Sequence, residues 1–238
     1  MGNIGERLFS DMSMPALVAA AHELKAPLAL IRQLALSLEE GNSDPHATAR
    51  LANRITLSSE RALRLTTDLT RASRLQAELF ELGPVNPIEL CEDIAEELRP
   101  LFAARGMDIR VRRNRQNILA VANRDLLRRI LANFSDNALE YAGMENTVEL
   151  AASARGSSVR IGVRDYGPAM SKQQIKKLKS NLGTGAQAVH SRPGSSGLGL
   201  YLASQFADYM DSSIGTINHR DGMTFYVDLP ASKQMSLL

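Results

Sequence analysis

Gly194-Ser195-Ser196-Gly197-Leu198-Gly199-Leu200 is the stretch on which the reading of the fold turns. Glycine lets a backbone approach phosphate oxygens closely, and the free amides at a helix start donate to an anion with a favourable dipole. The periodic segment from about Gly197 to Met210 supplies that helix. The stretch does not end in Gly-Lys-Ser/Thr, so it is not a Walker A loop. A Rossmann fingerprint would follow a strand directly, and this one follows a loop-rich tract from Gly167 to Ser196. A phosphate-binding helix start on some other α/β frame is the expectation.

Outward from that stretch the texture alternates between helix and strand. Helical periodicity runs from about 87 to 104 and from Asp125 to about Ala142. Strand-like runs lie at Met107 to Arg112, Ile118 to Ala122, Thr147 to Ala154, Val159 to Arg164, Ser213 to Asn218 and Met223 to Leu229. Interleaving over residues 88–232 predicts a two-layer α/β domain, with 233–238 as a tail. Gly83-Pro84-Val85-Asn86-Pro87 interrupts the pattern, so residues 81–87 are expected to be a linker.

Residues 1–80 read differently. Met14, Leu17, Ala21, Leu24, Leu28, Ile31, Ala35 and Leu38 recur at alternating steps of three and four, a coiled-coil seam. Gly41-Asn42-Ser43-Asp44-Pro45 breaks it, and Leu51, Ile55, Ser58, Ala62, Leu65, Leu69 and Ala72 form a second seam. An antiparallel two-helix hairpin follows. Such a hairpin has little core of its own, so a homodimer with a four-helix bundle is expected.

Composition narrows the classes of function. The 238 residues carry a formal net charge of +2, which gives no bulk electrostatic case for nucleic acid or an anionic membrane. No run reaches the roughly 18 apolar residues of a membrane helix. The lone Cys91 excludes an intrachain disulfide and a cysteine metal cluster. A cytoplasmic setting is expected.

Three further groups carry candidate chemistry. His22-Glu23-Leu24-Lys25-Ala26-Pro27-Leu28 places an imidazole beside the first seam, where it can meet solvent. Neutral imidazole is a competent nucleophile near neutral pH, and Glu23 can accept its proton. Pro27 gives no N–H to the carbonyl of Glu23 and should bend the helix just past His22. Asn133 and Asn137 stand four apart on one helix face, with amide oxygens suited to Mg²⁺. Asp165-Tyr166-Gly167-Pro168-Ala169 puts a carboxylate at a strand end, where it can accept from an adenine amino group. Taken singly, each is also readable as a surface histidine, two solvated amides and a common turn.

In order and spacing, these groups resemble the conserved boxes of class I sensor histidine kinases. His22 to Leu28 resembles the H-box, Asn133 to Ala142 the N-box, Asp165 to Ala169 the first glycine box, and Gly194 to Leu200 the second. Gly222-Met223-Thr224-Phe225 resembles the closing glycine box and strand. The resemblance implies a dimerisation hairpin followed by an α/β sandwich of the Bergerat ATP-binding type. It implies ATP and Mg²⁺, with His22 as phospho-acceptor and Glu23 as its base. Asn133, Asn137, Tyr141, Asp165, Gly167, Gly197, Leu198, Gly199 and Thr224 would bind ATP, with Asn137 the Mg²⁺ ligand and residues 171–196 a lid. The implied partner is the receiver domain of a response regulator, and the implied setting is the cytoplasmic side of a bacterial cell, as part of a larger sensor.

Four positions depart from the family pattern. Ala26 replaces the usual Thr or Asn, which predicts a kinase-biased protein or one whose phosphatase chemistry uses other groups. Glu140 replaces a Lys, Ala169 replaces a Gly, and residues 171–196 contain no Phe. These departures keep a second reading open, a degenerate kinase acting as a dimeric docking or phosphotransfer scaffold. ATPases of the same superfamily that activate water with a Glu have no hairpin with a counterpart of His22.

Overall fold

The computed structural model describes residues 14–40, 44–72, 80–113, 118–141, 147–168, 171, 173, 176 and 198–233. The chain divides into two units, Met1–Arg74 and Leu75–Leu238.

The first unit holds two helices, α1 (Met14–Glu39) and α2 (Pro45–Ala72). Asp44 starts α2: its carboxylate accepts from the backbone N–H of His46 at 2.9 Å, with Pro45 at the first helical position, where its missing N–H costs nothing. Helix α1 continues through Pro27. Ala20 and Leu34 of α1 and Ala62 and Leu69 of α2 are buried between the helices. Val18, Leu28, Leu36 and Leu63 stay exposed.

The second unit opens with β1 (Gly83–Val85) and α3 (Pro87–Ala103), followed by β2 (Asp108–Arg112) and β3 (Ala120–Ala122). Next come α4 (Arg124–Tyr141), β4 (Thr147–Arg155) and β5 (Ser158–Asp165). Helix α5 (Leu198–Tyr209), β6 (Ser213–His219) and β7 (Gly222–Pro230) complete the described elements. The five-stranded sheet has the order β2-β4-β5-β7-β6. Strands β2 and β4 are parallel and the other neighbours antiparallel. Helix α3 packs on β2 and β4, α4 on β4, β5 and β7, and α5 on β6 and α4, which makes two layers.

Period-two burial builds the interface between the layers. Val159, Ile161, Val163 and Asp165 of β5 are buried, as are Met223, Phe225, Val227 and Leu229 of β7. The Phe134 ring of α4 lies 5.8 Å from that of Phe225. On the other sheet face, Arg160 donates twice to the Asp228 carboxylate at 2.8 and 2.7 Å and lies over the Tyr226 ring. Charged pairs and stacked cations let this half-buried face meet water.

The expected linker over 81–87 is corrected. Gly83–Val85 is a strand, antiparallel to β3, and Asn86 caps α3 by accepting from the N–H groups of Ile88 and Glu89. Pro87 begins that helix. Gly and Pro here serve an edge strand and a helix start, two places where a missing ladder bond is tolerated. No helix among the described residues is long and apolar enough to cross a membrane.

Candidate functional site

The α/β unit brings several of the candidate residues to one place. Helix α4 projects Asn133 toward the first turn of α5. A Cβ built on Gly199 would stand 3.6 Å from the Asn133 side-chain oxygen. The Asn133 Nδ2 is buried and donates to no protein acceptor. A buried donor without an acceptor costs about 1–3 kcal/mol, and it lies beside a helix start able to receive an anion. Asn137 follows one turn later on the same face and is half-buried.

Asp165 ends β5 on the helix-facing side and is 1% exposed. Its Oδ1 accepts from the N–H of Gly167 at 2.9 Å, which fixes the carboxylate and the turn that follows. Glycine at 222 is required sterically. Its φ is +139°, and a Cβ there would lie 2.0 Å from the Asp165 carbonyl oxygen. The β6–β7 turn is thereby held against the strand end that carries Asp165.

Thr224 does not join this group. Strands β5 and β7 pair Asp165 with Met223, and Arg164 with Thr224. Side chains alternate faces along a strand, so Met223, fully buried, shares Asp165's face. Thr224 lies on the opposite face, hydrogen-bonded to His219 Nε2 at 2.8 Å. Burial and the Arg164 charge hold that imidazole below its ordinary pKa, with Asp221 and Asp165 pulling weakly the other way. Thr224 was named through the resemblance of Gly222–Phe225 to a glycine box, and the register of β7 on β5 puts Met223, not Thr224, beside Asp165.

Leu198 is fully buried at the start of α5, so it anchors the helix. Gly197, the Tyr141 side chain, Ala169 and nearly all of 171–196 lie outside the described residues. Glu140 is exposed, which carries its charge to solvent. Among the described residues no three His, Cys, Asp or Glu side chains group as a metal cluster.

In the hairpin, His22 and Ala26 are exposed while Glu23 and Pro27 are half-buried. Val18 is 53% exposed and stands one helical turn before His22 on the same face.

Residues 122–233 match the family described as histidine kinase-, DNA gyrase B- and HSP90-like ATPase. The chain is also similar to sensor histidine kinases. It is 28% identical over 214 residues to the sensor-like histidine kinase SenX3 of Mycobacterium tuberculosis, covering 89% of this chain and 52% of that protein. It is 26% identical over 221 residues to the signal transduction histidine-protein kinase BaeS of Escherichia coli, covering 90% of this chain and 46% of that protein. The chain thus spans about half the length of these curated relatives. Among solved structures, full-length ShkA in complex with AMPPNP matches with a TM-score of 0.61 at 23% identity, over 95% of this chain and 48% of that one. The histidine kinase AdeS of Acinetobacter baumannii matches with a TM-score of 0.56 at 15% identity, over 88% of this chain and 97% of that one. These structural likenesses speak to the fold.

Proposed function

We propose that the chain is the catalytic core of a two-component sensor histidine kinase, in which the α/β unit binds ATP and His22 takes its γ-phosphoryl group. The observation that carries the reading is the buried, acceptor-less Asn133 Nδ2 set against Gly199. A nucleotide phosphate there supplies the missing acceptor, and the glycine leaves room for it. Asp165 accepts from the adenine amino group, and the amides around Leu198 and Gly199 donate to phosphate.

The same residues fit a magnesium-bound triphosphate, with Asn137 as ligand and Asn133 beside it. When bound, Mg²⁺ neutralises charge on the phosphate oxygens. Transfer then depends on positioning. A ring nitrogen of His22 bonds to the γ-phosphorus as the bond to the bridging oxygen of ADP breaks. Glu23 receives the proton the imidazole releases. The phosphoryl group next passes to an aspartate of a response-regulator receiver domain, for which exposed Val18 beside His22 offers an apolar foothold. Leu28, a seam residue 56% exposed, supports a homodimer whose four helices cover it. This core works on the cytoplasmic side of a bacterial cell. No observation favours the degenerate scaffold.

Nucleotide titration by calorimetry tests the site. Asp165→Asn and Asn137→Ala should each weaken binding of Mg-ATP by about tenfold or more, the loss of one good charged or metal-linked contact. Wild-type affinity in both would refute the site.

A further inference from the structure

Hydroxyl side chains along α2 do two different things. Thr56, Ser59, Thr66, Thr67 and Thr70 each donate to the carbonyl four residues back in their own helix. Ser58 instead donates across the hairpin to the carbonyl oxygen of Pro27, at 3.2 Å, and is 8% exposed. Bonding back to Arg54 would have served α2 as it does for its neighbours, so the crossing is a feature of the packing at this level.

The acceptor it chooses is the residue that interrupts the ladder of α1. Pro27 supplies no N–H to the carbonyl of Glu23, and its ring crowds that carbonyl. The helix is therefore softest over the turn Glu23–Ala26, which begins one residue after His22. On that turn Lys25 and Ala26 are exposed, while Glu23 and Leu24 are half-buried. The hairpin partner thus grips the chain at the end of the soft turn and leaves the turn itself open on one side.

We propose that Ser58 is a positioning residue for phosphoryl transfer to His22. Its hydroxyl pins Pro27 to α2, so that bending is confined to Glu23–Ala26 and His22 swings about a fixed pivot. Without the pin, the same softness spreads into the next turn, and His22 loses a defined path to the phosphorus. Small misplacements of a reacting group carry large rate costs. The inference rests on His22 being the acceptor, and its test separates the two claims.

The test uses the full chain as wild type, Ser58→Ala and Ser58→Thr, and Ser58→Ala in a Pro27→Ala background. Autophosphorylation is followed across ATP concentrations, and backbone amide exchange is followed over residues 24–34. Ser58→Ala should lower kcat about fivefold, the rate equivalent of one hydrogen bond, with KM for ATP unchanged. It should also speed exchange at Ile31, whose N–H faces the Pro27 carbonyl in the ladder. Ser58→Thr should restore both. Where Pro27→Ala has rebuilt the ladder, removing Ser58 should change kcat by less than about twofold.

Wild-type kcat and exchange in Ser58→Ala would overturn the proposal, as would a change confined to KM. A hairpin that melts in Ser58→Ala by circular dichroism would make the hydroxyl a strut, and would overturn a positioning role. A wild-type chain that takes no label would refute the kinase reading instead. Exchange at Ile31 then decides the pin alone, and unchanged exchange overturns it.

Discussion

The two units of this chain differ in how completely they bury what they carry. In the α/β unit Phe102, Phe134, Phe206 and Phe225 are each at most 2% exposed, between a sheet and three helices. The hairpin buries Ala20, Leu34, Ala62 and Leu69 but leaves Val18, Leu28, Leu36 and Leu63 in solvent. Among the described residues, only Leu82 of the α/β unit joins the exposed large hydrophobics. One unit closes its core within a single chain. The other, on its own, holds two helices together by a narrow seam and offers the rest of its apolar surface to another surface. In the proposed function the nucleotide site lies in the closed unit and the acceptor histidine in the open one, which pairs a rigid donor with a less tightly packed acceptor.

Removing a ring from the closed core should give the largest effect. Phe134→Ala is expected to destabilise the α/β unit by about 3–5 kcal/mol, through lost burial and a residual cavity. Urea unfolding followed by a probe in that unit measures it. Hairpin association should not change, and a change there would break the contrast between the units.

A charge placed on the open seam comes next. If the proposed dimer covers Leu28, Leu28→Glu should weaken it by roughly 1.5–3 kcal/mol for each leucine removed from the interface, as read by sedimentation equilibrium. Mg-ATP binding should persist, because the proposed site lies in the other unit. A variant that dimerises as tightly as wild type would show that Leu28 is not covered by a second copy.

The smallest effect sharpens the same contrast through pH. Cys91 is fully buried on α3, and burial, with a smaller push from Glu92, raises its thiol from an ordinary 9.0 to about 12. The folded state keeps the proton that the unfolded chain releases above pH 9. This contribution to stability is therefore full below pH 9 and falls as pH rises toward 12. Cys91→Ala should flatten that part of the stability profile. In the native protein a thiol reagent at pH 8 should not react with Cys91 until the unit unfolds. Rapid native labelling would contradict so closed a core.

Much of this organisation was legible in the sequence because it is written in local periods. The seam of α2, the alternation in β4, β5 and β7, and the glycines before α5 each specify their own element. The expected α1 seam is corrected: within one chain α1 buries Ala20 and Leu34, neither of them in that seam, and leaves Ala21 and Leu28 exposed, because packing against α2 selects the buried stripe. Long-range pairing was less legible. Gly83 and Pro84 look like chain breakers until β3 is seen opposite them, and no local pattern announces a partner some 37 residues away. Thr224 was named as a site residue through the resemblance of its glycine box, but its face is set by the register with β5. The approach of Asn133 to Gly199 depends on how α4 packs against α5, which neither segment encodes alone.

The central claim is that His22 accepts phosphate from ATP bound by the α/β unit. The most direct measurement is incorporation of label from γ-³²P-ATP into wild type and His22→Gln, with nucleotide binding measured in parallel. Wild type should gain an acid-labile phosphate, and His22→Gln should gain none while binding Mg-ATP as before. Equal labelling of the two chains would contradict the account.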